Sequence, residues 1–103
     1  MLERLGQSPS TETFKNVAQW DQFLASAAAG IIRAMRPNLL LLHLVQIDYF
    51  QHRGGLDGPE VKPALARVDA HLAAIAAALR EAGIADQTAV IVTGDHGFQN
   101  VAR

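Results

Sequence analysis

A chain of 103 residues is one domain at most, and with half of its residues hydrophobic it can build a core rather than stay disordered. Nine basic against ten acidic side chains leave a net charge of −1, with no basic stripe to grip a nucleic-acid backbone. Cysteine is absent, which excludes disulfides, thiolate metal sites and cysteine nucleophiles.

Residues 1–12 are polar, contain Gly6 and Pro9, and read as an arm or loop without the apolar core of a secretory signal. Residues 13–103 read as one unit. Ser10, Thr11 and Thr13 are N-cap candidates for the helix that follows. In it Val17, Trp20, Leu24, Ala27, Ala28, Ile31 and Met35 recur at three- and four-residue steps, an amphipathic pattern with Trp20 on the core stripe. Pro37 stops this helix and moves Arg36 out of the helical region.

The stretch 38–46, "NLLLLHLVQ", is short and nearly continuous in apolar residues, as in a strand buried on both faces of a parallel sheet. His43 would then be a buried, hydrogen-bonded histidine. At strand length and interrupted by His43, the run cannot span a bilayer. Ile47 to Gly58 reads as a loop with one helical turn near its start. The next helix begins near Pro59, with Val61, Leu65, Val68, Leu72, Ile75 and Leu79 as its stripe and Pro63 in the first turn. On it Asp69 reads as a solvated side chain and His71 as boundary packing. Gly83 ends the helix as a left-handed cap. "TAVIVT", residues 88–93, is a second β-branched strand candidate, and "GDHG" follows it.

The expected fold class is therefore α/β, part of a parallel sheet flanked by helices in the order helix–strand–helix–strand. In such a sheet ligands bind past the carboxyl ends of the strands. Two polar pairs fall there. Asp48 and His52 are four apart, a spacing that aims both side chains the same way on one helical turn. Asp95 and His96 are adjacent, between Gly94 and Gly97, where a tight turn lets both face one cleft. Carboxylate oxygen with imidazole nitrogen suits zinc, manganese or iron better than calcium.

"RPNLLLLHLVQIDYFQHRGG", then "ALARVDAHL", then "TAVIVTGDHGF" resembles the type I phosphodiesterase/nucleotide pyrophosphatase family of the alkaline phosphatase superfamily, over about residues 15–100. The resemblance implies an alkaline-phosphatase-like catalytic domain, present here in part, with two divalent metal ions, usually zinc. It assigns Asp48 and His52 to one metal and Asp95 and His96 to the other. Gln51 departs from the family, many of whose members have Gly before that His, and this leaves the substrate subgroup open. The family's Thr or Ser nucleophile lies upstream of the matching region and its late His downstream. No nucleophile is transferred to Ser10, Thr11 or Thr13, so the expectation is half of a two-metal phosphoric-ester hydrolase site, inactive in the 103-residue chain alone. The substrate implied for the longer protein is a phosphate ester or nucleotide-like small molecule. The rivals are a phosphomonoesterase or phosphomutase of the same superfamily, and a non-catalytic truncated α/β remnant. Tyr49 and Phe50 are substrate-pocket candidates or, equally, packing plugs. Two strands with open sheet edges also offer a route to self-association.

Overall fold

The computed structural model describes residues 16–101. The proposed arm at 1–12 and the N-cap candidates Ser10, Thr11 and Thr13 lie outside them. Three helices carry the described residues, α1 (Val17–Met35), α2 (Gln46–Gly54) and α3 (Val61–Glu81), followed by a 3-10 turn at Ala85–Gln87.

Helix α1 is capped by Asn16, whose side-chain oxygen accepts from Gln19 N at 2.9 Å. It ends where Pro37 requires: Arg36 turns left-handed, with φ 46° and ψ 61°, and its N–H reaches back to Ile32 O. The face it buries is rotated by one residue from the expected stripe. Asp21, Ala25, Ala28, Ala29 and Ile32 are buried, whereas Trp20 and Met35 are exposed. Trp20 instead stacks on Phe23, centroids 6.1 Å apart. The inward face is thus the alanine-rich one, which lets α1 approach α3 closely.

That seam is the core. Ala29 and Ile32 pack with Ala78, Leu79 and Ala82, and Leu40, Ile75 and Ile84 close over them. An Arg33–Glu81 ion pair spans the same two helices at the surface. The expected stripe of α3 mostly faces inward: Val61 and Leu79 are buried and Val68, Leu72 and Ile75 half-buried, while Leu65 is half exposed and Ala64 completely buried in its place. Alanine favours helix intrinsically and loses no side-chain freedom on packing, which suits it to so tight a seam. Gly83 ends α3 as expected. At φ 74° its N–H bonds Arg80 O, and the Ile84 N–H bonds Leu79 O, the paired bonds of a glycine-terminated helix. Ile84 follows directly and packs onto the core.

The α/β expectation is overturned. Among the described residues there is no β-strand and no sheet; the chain is helical, and neither 38–46 nor 88–93 forms a ladder. A helix satisfies its backbone within its own segment, whereas a strand needs a second segment about 4.8 Å away. Residues 38–45 alternate in burial as an extended chain does: Leu40, Leu42 and Leu44 face inward, while Leu39, Leu41 and His43 face out. Leu39 and Leu41 are 76% and 87% exposed, so the run that looks double-sided in burial is covered on one side only. His43 is likewise exposed rather than buried. Val90, Ile91 and Val92 are exposed too. With no sheet there are no sheet edges among the described residues, and self-association through them loses its basis. No helix there is long and apolar enough to cross a membrane.

Candidate functional site

Residues 46–54, expected as mostly loop, form the nine-residue helix α2. Its length turns the four-residue spacing of Asp48 and His52 into one shared face: Asp48 Oδ1 lies 3.3 Å from His52 Nε2. From the far end of the chain His96 Nε2 approaches the same oxygen, at 3.4 Å. Asp95 stands at the margin, its Oδ2 3.7 Å from His96 Nε2. All four sequence-predicted residues are thus gathered in one cluster, with Asp48 Oδ1 at its centre.

That oxygen is shut off from water although the side chain as a whole is 47% exposed, and it has no hydrogen-bond partner. The two imidazole nitrogens approach it within ion-pair range without making a hydrogen bond. His96 explains half of this. Its Nδ1 lies 2.7 Å from Gly97 O, a carbonyl that can only accept, so Nδ1 carries a proton and Nε2 is the nitrogen facing Asp48. The Gly97 carbonyl above all, then Asp95, raise the His96 pKa above its ordinary value; burial opposes them, and Asp48 adds the least.

Two further contacts hold the loop of His96 against α2. The Phe98 ring meets His52 edge-on, centroids 5.0 Å apart. Asn100 Oδ1 accepts from Leu56 N at 2.9 Å. This last contact needs glycine at position 55, where φ is 79° and a Cβ would lie 2.8 Å from Asn100 Oδ1.

The donors fit a transition-metal ion in kind. For a tetrahedral ion with bonds of about 2.0–2.1 Å, neighbouring ligand atoms stand about 3.3–3.4 Å apart, the spacing of Asp48 Oδ1 to the two Nε2 atoms. A ring N–H donated to a backbone carbonyl, as at His96, is also the usual support of a metal-binding histidine. In number the donors fall short, for among the described residues no group of three or more His, Cys, Asp or Glu side chains is set to hold a metal ion.

Tyr49 and Phe50 lie elsewhere. They meet edge-on, centroids 5.3 Å apart, and line an open groove with Arg53, Glu60, Pro63 and Arg67. Arg53 and Arg67 stand over the Tyr49 and Phe50 rings at 5.5 and 5.6 Å. The groove is lined by none of Asp48, His52, Asp95 or His96.

Sequence reasoning passed over the residues that hold α2 in place. Asp21 and Gln46 are completely buried. Asp21 bonds the backbone at the start of α2, and Gln46 Oε1 accepts from Arg67 Nε at 2.6 Å. Their signal was present as polar side chains on faces that proved buried. Asp69, read as solvated, is exposed, and His71, read as boundary packing, is half-buried with its Nε2 unpartnered.

Compared with known proteins, residues 5–103 match the family model described as type I phosphodiesterase / nucleotide pyrophosphatase. Among curated proteins, the chain is 30% identical over 96 residues to "Alkaline phosphatase PhoD" of Zymomonas mobilis subsp. mobilis. That alignment covers 87% of this chain and only 16% of the relative. No solved structure matches the chain.

Proposed function

The chain belongs to the type I phosphodiesterase/nucleotide pyrophosphatase family, and from that premise we propose that it supplies metal donors to a phosphoric-ester hydrolase site. Asp48 and His52 serve one divalent ion and Asp95 and His96 a second, with zinc the expected metal. The observation that supports metal donation is the unpartnered Asp48 Oδ1, faced at 3.3 and 3.4 Å by imidazole nitrogens from two distant segments, while the division between two ions rests on the family. Such ions supply Lewis-acid charge at a phosphoryl oxygen and activate a hydroxyl nucleophile.

The chain's own side chains prepare that chemistry. Helix α2 presents Asp48 and His52 on one face. The Gly97 carbonyl fixes the His96 tautomer with Nε2 inward, and the Phe98 edge covers one side of the His52 ring. No nucleophile is assigned: Thr88 and Thr93 donate their hydroxyls to the backbone carbonyls of Ile84 and Gly94. Residues 13–103 accordingly form part of a catalytic domain, and the 103-residue chain by itself turns nothing over. The substrate of the longer protein is a phosphate ester or nucleotide-like molecule. The relative bears the name of an alkaline phosphatase, which keeps a monoesterase as the rival within the superfamily.

A second reading draws on the absence of a ready three-donor group among the described residues. In it the cluster is a remnant, in which protonated His96 simply pairs with Asp48 and Asp95. Calorimetric titration with zinc separates the two. Uptake by the wild type that is lost in His52→Ala and in His96→Ala supports the metal reading, whereas indifference to zinc supports the remnant. Metal-dependent hydrolysis of a nitrophenyl phosphodiester by the pure chain would overturn the assignment of a half-site.

A further inference from the structure

Asp21 takes no part in the cluster, yet it is a completely buried carboxylate, a group that is steeply unfavourable inside a protein unless its oxygens are bonded. They are bonded. Val45 N donates to both oxygens, at 2.9 and 3.0 Å, and Gln46 N donates to Oδ2 at 2.8 Å. These N–H groups belong to the start of α2, and Val45, its N-cap residue, makes no side-chain capping bond. The cap of α2 is thus supplied from another helix, by a side chain 24 residues earlier. A negative charge at this end also suits the dipole of the helix.

Gln46 extends the same anchor to α3 through Arg67, whose guanidinium lies over the ring of Phe50. Helix α2 is therefore fixed at its first residue to both long helices, and its far end carries His52. From Gln46 to His52 is about 9 Å along the axis, so a tilt of about 20° at the anchor displaces that ring by about 3 Å. Such a tilt leaves the 3.3 Å spacing inside α2 intact and shifts Asp48 relative to His96 by only about 1 Å, but it carries the His52 ring off the Phe98 edge that it meets at 5.0 Å.

We propose that Asp21 is a positioning residue of the site: by holding the Val45 and Gln46 N–H groups, its buried carboxylate sets the bearing of α2 and with it the places of Asp48 and His52 opposite His96. Only the metal arm of the test rests on the functional reading above.

The experiment compares Asp21→Ala, Asp21→Asn and Ile32→Val with the wild-type chain, each shown to be folded by circular dichroism. In the metal-free proteins the first readout is the nuclear Overhauser contact between the His52 and Phe98 rings. The second is cobalt(II) titration followed by visible absorption. Asp21→Ala is expected to lose the ring contact and weaken cobalt uptake at least tenfold. Asp21→Asn, which keeps one acceptor, falls between it and wild type and decides the question if the alanine variant does not fold. Ile32→Val loosens the α1–α3 seam and leaves both readouts unchanged. An intact ring contact in the aspartate variants overturns the proposal, whatever the metal does. If Asp48→Asn leaves cobalt uptake untouched, the functional reading fails instead, and the ring contact alone decides the role of Asp21.

Discussion

Substituting Gly55 by alanine tests whether the two halves of the site are latched together. The Gly55 backbone sits at φ 79° and ψ 178°, a region essentially closed to residues with a Cβ. Occupying it costs about 1–3 kcal/mol. The new methyl would also lie 2.8 Å from Asn100 Oδ1 and must displace it, breaking the bond to Leu56 N. That bond is exposed, and water can replace it, so its loss adds about 0.5–1 kcal/mol, the lower part of the usual range. Gly55→Ala should therefore destabilise the chain by about 1.5–4 kcal/mol and free the segment that carries His96 and Phe98. Urea denaturation followed by far-ultraviolet circular dichroism measures the first effect. A double-mutant cycle with Asn100→Ala separates its two parts. Backbone strain persists in the double variant, while the hydrogen bond cannot be lost twice, so the double variant should be about 0.5–1 kcal/mol more stable than additivity predicts. A Gly55→Ala cost below about 0.5 kcal/mol, or a strictly additive cycle, would refute the latch.

Two further outcomes follow from the geometry. Ala78 is completely buried in the α1–α3 seam, so Ala78→Leu should cost about 1–3 kcal/mol in a thermal or urea melt, whereas Ala73→Leu on the exposed face should cost little. The His96 pKa is raised by the Gly97 carbonyl, Asp95 and Asp48, so the charged ring favours the folded chain. That contribution is complete below the ordinary histidine value of about 6.5 and is lost as pH rises through the raised one. Nuclear magnetic resonance titration of the ring nitrogens should place His96 above that ordinary value, and Asp95→Asn should bring it part of the way back. An unshifted His96 in the wild type would remove the charge argument for the cluster.

The cluster was more legible in the sequence than the fold that carries it. Asp48 and His52 at helical spacing and Asp95–His96 between glycines are local patterns, and the structure draws all four together. The terminators were legible for the same reason, since Pro37 and Gly83 act on their own neighbours. The strands at 38–46 and 88–93 were not, because a strand is a relation between two segments while composition describes only one. The α1 face was misread in part because its apolar stripe followed large side chains such as Trp20 and Met35, whereas on α3 only Leu65 of the stripe is exposed. Beside Ile32 and Leu79 much of the actual contact is made by alanines, whose small size permits close approach and whose hydropathy barely distinguishes a buried face. Asp21 escaped notice because an aspartate in a helix is by default a solvated one, and only the arrival of the α2 N-terminus makes it otherwise.

The unequal fastening of the cluster has a consequence for how it opens. One jaw, α2, is pinned through Asp21 and Gln46 to the two helices of the core, so its release is the more costly. The other jaw, bearing His96 and Phe98, is held by one exposed hydrogen bond, the edge of a ring and the approach of His96 to Asp48 at 3.4 Å. Opening energies in a protein follow such differences in local anchoring. The cluster therefore behaves as a clasp with a fixed plate and a loose tongue. Solutes reach the shut-off Asp48 Oδ1 when the tongue at 94–101 lifts, before the plate gives way.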